Sequence, residues 1–264
     1  MRTWCAWLGA GPLSGALVLL ASAASADTCP VPEGGTAQLA AIDARERIAF
    51  VHQTETEQAR YARTWKWAWF GIGWGLVAAN GIQAAVWATT DSPAREANIV
   101  DNLIVAGFSA VTPIAALLFS NRIEDDAPAI DELLEQTGNG AAGTCLVLAR
   151  MEELLVKGGE EEAFNTAWFQ HVIAWLGVGA MFSIMAVEAA TSSVPEVQEA
   201  HWINAITNGV GGLILTEAQL LTAPTGAHTG YKRYLKGELP PKKTASWSLA
   251  PMGLASGLAL RIVF

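Results

Sequence analysis

The chain has 264 residues, 52% hydrophobic and only 16% charged, with 16 Lys+Arg against 25 Asp+Glu for a formal net charge of −9. That apolar content excludes an intrinsically disordered chain, and the acidic balance excludes a basic nucleic-acid binder. Three cysteines are too few for a disulfide-dense secreted scaffold.

Residues 1–26 read as a secretory signal, with Arg2, an apolar run to Ala21, and Ala24-Ser25-Ala26 as a small-x-small cleavage site before Asp27. The alternative is a retained fifth span. Cleavage removes Cys5 and leaves Cys29 and Cys145, both outside the spans and on one side. Two cysteines in an exported chain predict one disulfide, with two free thiols as the alternative. Residues 27–64 read as an extramembrane stalk helix. Thr36 to Thr64 has neither Gly nor Pro, and the helix is expected to run straight into the first span. Thr36–Ala88 would then be on the order of 80 Å long, so part of it projects. Leu39, Ile42, Ile48, Phe50 and Val51 give it an imperfect apolar stripe.

Residues 65–122 read as a first transmembrane hairpin. Trp67 to Ala88 is uncharged and reaches the ~20 residues a span needs. Leu103 to Ser120 is uncharged but shorter. Between them Asp91, Ser92, Pro93, Arg95, Glu96 and Asp101 form a polar turn. Gly71 and Gly75 offer a small-residue face for close helix approach, as Gly177, Gly179 and Ala180 do further on. Trp65, Trp67, Trp69, Trp87, Trp168 and Trp202 cluster at span ends like an interfacial belt.

Residues 123–165 read as an extramembrane helical loop. Asp126-Ala127-Pro128 opens one helix, with Ile130, Leu133 and Leu134, and Gly138-Asn139-Gly140 breaks it. Cys145 to Lys157 carries Leu146, Val147, Met151, Leu154 and Leu155 at helical spacing. Gly158-Gly159 is expected to end that helix, and Glu160–Glu162 to start the one that becomes the third span.

Residues 166–222 read as a second hairpin, Ala167 to Val187 and Trp202 to Thr222 around a turn at Thr191–Ser193, Pro195, Glu196 and Glu199. A shift of about 101 residues lays Trp67 on Trp168 and Trp74 on Trp175, and one inserted residue lays Asn102 on Asn204 and Gly107 on Gly209. Internal duplication accounts for these matches; the alternative is two unrelated hairpins that share membrane composition. The implied fold is an all-α integral membrane protein, with four transmembrane helices as a duplicated hairpin and a small helical cap.

Residues 223–264 read as a basic tail. Lys232, Arg233, Lys236, Lys242 and Lys243 face only Glu238, a pattern suited to lipid phosphates or to an ordinary flexible tail. The end alternates through Leu258, Leu260, Ile262 and Phe264 and resembles the last strand of outer-membrane barrels. A lone strand cannot satisfy its backbone in lipid, so it would add to a partner sheet, act as an envelope address, or be a disordered end. A cleaved signal puts cap and tail outside the cytoplasm. The short loops then hold a single basic residue, Arg95, which opposes the positive-inside rule. The inner membrane is the first reading and the outer membrane the alternative.

No Ser-His-Asp elbow, His-Glu-x-x-His helix, phosphate loop or dinucleotide fingerprint occurs, so the sequence points to no catalytic residue, cofactor or metal. What remains is polar groups within spans, which are costly in lipid. Asn80, Gln83, Asn204 and Asn208 are expected to bond across helices. Glu188 and His201 read as interfacial. His171 and Glu217 lie about equally far from the turn near residue 194, so an antiparallel hairpin brings them to one depth as a candidate polar pair. Expected partners are the lipid bilayer and another envelope protein, met through the cap or the C-terminal tail. The function class is first a structural or interaction anchor, second a small-solute or ion carrier or channel, third an integral-membrane enzyme.

Overall fold

The computed structural model describes residues 29–118, 122–135, 140–239, 246–251 and 258–263. The signal-like segment, Cys5, Gly138-Asn139, Lys242, Lys243 and Phe264 lie outside them. Eight helices and two strands follow in order: α1 (Ala37–Ala40), α2 (Ala44–Ala88), α3 (Arg95–Leu118), α4 (Arg122–Glu135), α5 (Gly140–Asn165), α6 (Trp168–Thr191), α7 (Pro195–Leu221), α8 (Gly226–Leu235), β1 (Ser246–Pro251) and β2 (Leu258–Val263).

The stalk is not continuous from Thr36. It breaks after α1, and Asp43 starts α2 afresh by accepting a 2.8 Å hydrogen bond from the Arg45 amide. An N-cap aspartate competes well with helix continuation because it satisfies an otherwise orphaned donor. From there α2 runs unbroken for 45 residues, about 67 Å. Its buried face repeats at heptad-like spacing: Ala44, Ile48, Val51, Glu55, Ala59, Ala62, Trp69, Gly73, Asn80, Ala84. One seam therefore serves two bodies, a cap around the first half of the helix and a bundle around the second.

The cap core joins Ile48 and Val51 of α2, Ile123 and Ile130 of α4, Val147, Leu148, Met151 and Leu155 of α5, and Tyr234 of α8. Along α5 the buried residues 147, 148, 151, 154 and 155 trace one helical face. The Gly158-Gly159 pair does not end α5, which continues to Asn165 and takes Glu160–Glu162 with it. A Cβ on Gly159 would stand 3.2 Å from the His228 Cα, so the glycines let α8 lie directly on α5. α4 likewise begins at Arg122, ahead of the expected Asp126, with Pro128 inside it.

The first part of the segment read as a basic tail, through α8 to Leu239, belongs to this cap. α8 buries Ala227, Gly230 and Tyr234. It ends where the Gly237 amide donates to the Tyr234 carbonyl at 2.8 Å and the Glu238 amide to the Arg233 carbonyl at 3.0 Å. That double closure needs the left-handed residue at Gly237, φ +75°. Beyond it β1 and β2 pair antiparallel, Ser246 opposite Val263 and Leu249 opposite Leu260. The strand expected at the chain end thus has a partner in its own chain rather than in another sheet.

The bundle packs the second half of α2 against α3, and α6 against α7, with α3 bridging the two hairpins. Val105 of α3 meets Met181 and Met185 of α6 and Ala205 of α7 at the seam. Small residues do set a close approach, though not the ones the sequence suggested. Gly73 lies against Pro113, where a Cβ would come within 2.5 Å of Cδ, while Gly71, Gly75, Gly177 and Gly179 face open space. Among the described residues two helices, α3 over Arg95–Ala115 and α6 over Trp168–Thr191, are long and apolar enough to cross a membrane. The other two of the expected four are more diluted, α2 by Gly, Asn and Gln, and α7 by Glu196, Glu199 and Glu217.

Candidate functional site

Polar side chains gather at three places. The first lies in the bundle, toward the end away from the cap, where α3 meets the α6–α7 turn. Asn98, Asp101 and Asn102 occupy one face of α3 at helical spacing, and His201 and Asn204 occupy one face of α7. Asp101 is fully buried, and Asn98, Asn102 and His201 are buried with it. His201 Nδ1 stands 3.0 Å from both Asp101 carboxylate oxygens and 3.6 Å from Glu188 Oε2 of α6. Asn204 Nδ2 donates to Asp101 Oδ2 at 2.8 Å and to Asn98 Oδ1 at 3.0 Å. Asn102 and Asn98 each donate back to a main-chain carbonyl one turn earlier, at 2.7 and 2.9 Å, which fixes their orientation. Glu188 Oε2 is shielded from solvent and accepts no hydrogen bond among the described residues.

This corrects one expectation. His201 is buried against Asp101 with Glu188 half-buried beside it, and Asp101 belongs to the helix rather than to the polar turn. Of the four residues expected to bond across helices, Asn204 does so. Asn80 and Asn208 instead donate to the carbonyls of Leu76 and Asn204 in their own helices, and Gln83 is exposed. The signal that marks the site in the sequence is the pairing of two polar helical faces, 98/101/102 with 201/204.

The second place is on the α6–α7 hairpin nearer the cap. His171 Nδ1 lies 2.9 Å from Glu217 Oε2, and Trp175 Nε1 donates to Glu217 Oε1 at 2.5 Å. The pair is brought together at one depth, with a quarter to a third of each side chain exposed. Glu217 stands at one end of an open apolar groove of about 750 Å³ along α6 and α7, lined by Trp175, Val178, Phe182, Ile206 and Leu213.

The third place is the interior of the cap. Cys29 and Cys145 form a disulfide. Beside it the fully buried Arg47 donates from Nε to the Tyr234 hydroxyl at 2.8 Å, to the Cys29 and Pro30 carbonyls at 3.1 and 3.0 Å, and to Glu152 at 2.5 Å. Tyr234 in turn donates to Glu152. Burial, and then the bond to Glu152, push the Tyr234 phenol up, so it stays a neutral donor. The network is fully satisfied and pins the chain's entry to the cap. Two other buried acids are not. Glu55 holds a core position of the α2 seam, and neither of its carboxyl oxygens accepts a hydrogen bond among the described residues. Burial, with repulsion from Asp126 and Glu162, raises its pKa to about 8. Glu162 accepts from the His228 amide at 2.9 Å and so caps α8 in place of Thr225, yet burial still raises it to about 7.

At the junction of cap and bundle, Tyr61 donates to the Thr222 carbonyl at 2.8 Å, and the indoles of Trp65 and Trp69 donate to the Thr222 hydroxyl at 3.2 and 3.3 Å. Two tryptophans of the expected belt therefore tie α2 to the end of α7. No known protein family matches the chain, and neither a curated protein nor a solved structure is similar to it.

Proposed function

We propose that this chain is a multi-pass membrane protein of the cell envelope, in which a four-span bundle anchors a disulfide-stapled helical cap that serves as a structural or interaction module. The observation that carries this reading is the contrast in burial between the two bodies. Leu39, Val51, Met151 and Leu155 of the cap are fully buried, whereas Ile82, Val111, Leu176 and Ile214, one from each bundle helix, are 62–68% exposed. An apolar surface spread over all four helices of a bundle is suited to lipid and would drive association in water. The disulfide favours an oxidising compartment for the cap. Cations near the cap pair with its own acids, Arg63 and Lys66 with Glu124 and Arg122 with Asp126, which reduces the unpaired positive charge that this orientation sets against the positive-inside rule.

A carrier is less well supported. The polar cluster does not continue along the inter-hairpin seam, where Val105, Met181, Met185 and Ala205 close the space. Transport sites are instead built of polar groups that open to either side. The test is single-cysteine labelling in intact cells with a membrane-impermeant maleimide. Gln53→Cys on the cap should react directly, and Asp91→Cys and Ser193→Cys in the two short turns only after permeabilisation. Turns that label from opposite sides, or a chain released by alkaline carbonate, would sink the four-span reading.

A further inference from the structure

We propose that Asp101, Glu188 and His201 bind a divalent transition-metal ion, Zn²⁺ fitting best, which clasps the two hairpins together. The three donors come from three helices, α3, α6 and α7, and lie within 4.8 Å of one another. Tetrahedral Zn²⁺ with oxygen and nitrogen ligands at about 2.0–2.2 Å needs donors roughly 3.3–3.5 Å apart. His201 Nδ1 to Asp101 is 3.0 Å and to Glu188 is 3.6 Å, so two sides of the donor triangle are already close to that size, and the third lies within 4.8 Å.

An imidazolium alone does not account for the arrangement. Its single Nδ1–H is shared between the two Asp101 oxygens at equal distance, and nothing among the described residues donates to Glu188 Oε2. Two carboxylates against one imidazole leave a net negative charge around the buried Asp101 and His201, with Glu188 half-buried beside them, a state that a dication would offset. The surroundings fit as well. Asn204 holds Asp101 Oδ2 and is itself held by Asn98, which is how residues around a metal fix a ligating carboxylate. The imidazole makes Mg²⁺ or Ca²⁺ the poorer choice, since both prefer an all-oxygen shell. Three protein donors leave a fourth position for water or for a ligand from the turn side.

The experiment uses the untagged full chain in detergent, stripped with EDTA and titrated with Co²⁺, then with Zn²⁺ in competition. The expected result is one Co²⁺ per chain, with the intense visible bands of a low-coordinate site, displaced by Zn²⁺. Glu188→Gln should weaken binding at least tenfold. Asn204→Ala, which touches no metal, should cost about 10–100-fold, as loss of a supporting hydrogen bond does. His52→Gln, at an exposed site in the cap, should change nothing. Should Asn204→Ala fail to fold, the wild-type Co²⁺ spectrum and the folded Glu188→Gln protein, checked by circular dichroism, still decide. Absence of the bands in wild type, or bands that persist undiminished in Glu188→Gln and Asp101→Asn, overturns the proposal and leaves a metal-free ion cluster.

Discussion

Glu55 is the residue whose replacement tests the cap most directly. It sits where the α2 seam calls for an apolar side chain, is 1% exposed, and faces Asp126 of α4 and Glu162 of α5. Its pKa of about 8 stands well above the 4.5 of an unperturbed glutamate. The folded cap therefore keeps a proton that the unfolded chain releases. Stability from this group is fully present below about pH 4.5 and is lost as pH rises through 8. At 1.36 kcal/mol per pKa unit the loss is on the order of 3–5 kcal/mol, the lower end because Glu162 titrates in the same range and shares the repulsion. Glu55→Gln keeps the shape, removes the charge, and gives Asp126 or Glu162 an amide donor. Urea unfolding of the solubilised chain, followed by near-ultraviolet circular dichroism from pH 5 to 9, should find the variant within about 1 kcal/mol of wild type at pH 5 and several kcal/mol more stable at pH 9. Retention of the wild-type pH slope in Glu55→Gln, or a loss of stability at pH 9, would refute the assignment of that slope to this carboxyl.

Reduction of the Cys29–Cys145 bridge, 116 residues apart, should cost about 4–5 kcal/mol by chain entropy, read as a lower unfolding midpoint under reductant and absent in a Cys29→Ser/Cys145→Ser chain. Arg47→Met leaves Glu152 buried without its cation, and should destabilise the cap by about 3–5 kcal/mol in the same unfolding assay. Gly73→Ala should cost about 1–3 kcal/mol through its clash with Pro113, while Gly75→Ala, facing open space, should be neutral or stabilise by about 0.5–1 kcal/mol in thermal melts. For the His171–Glu217 pair, His171→Phe with Glu217→Ala should be less damaging together than the sum of the single changes. Strict additivity in a double-mutant cycle would show that the contact carries no coupling.

Much of the helical layout was legible because spacing carried it. The α5 face read at Leu146, Val147, Met151, Leu154 and Leu155 is buried at the last four, while Leu146 turns outward at 74% exposure and Leu148 takes its place, and the depth of His171 against Glu217 followed from counting residues either side of one turn. The errors have a common cause, which is that local signals were read without their tertiary partners. Gly158-Gly159 looks like a helix end, yet α8 needs the space those glycines leave, and packing outweighs their weak intrinsic penalty. Residues 226–235 looked like part of a basic tail, since Lys232 and Arg233 drew attention from Ala227, Gly230 and Tyr234, which form the buried face. Asp101 was lost to the turn because acids near a turn are usually solvated; its burial depends on His201, a hundred residues away. Matching Asn204 to Asn102 as copies obscured how they differ, since Asn102 bonds to its own helix and Asn204 crosses to α3.

The placement of polar groups also constrains how the two hairpins can move. At the cap end they are tied through Thr222 to Tyr61, Trp65 and Trp69. At the opposite end Asp101, His201 and Asn204 tie α3 to α7. Between those ends the buried seam is a short apolar cluster with two methionines, side chains that adapt readily to small shifts of their neighbours. Sliding or opening of one hairpin against the other must therefore break one of the two polar ends first. The distal end is the easier to regulate, because its ties are ionisable and lie within two turns of the α6–α7 loop, while the cap end is backed by a disulfide and a full apolar core. The His171–Glu217–Trp175 set lies on the outer face of α6 and α7 beside the open groove, so it answers to whatever the bundle is immersed in and has little hold on the hairpins' mutual angle. All four bundle helices run from the cap junction to the far turns, and Asp101, His201 and Asn204 are where the two hairpins are cross-tied at that end, so a change in hairpin packing there acts on these residues.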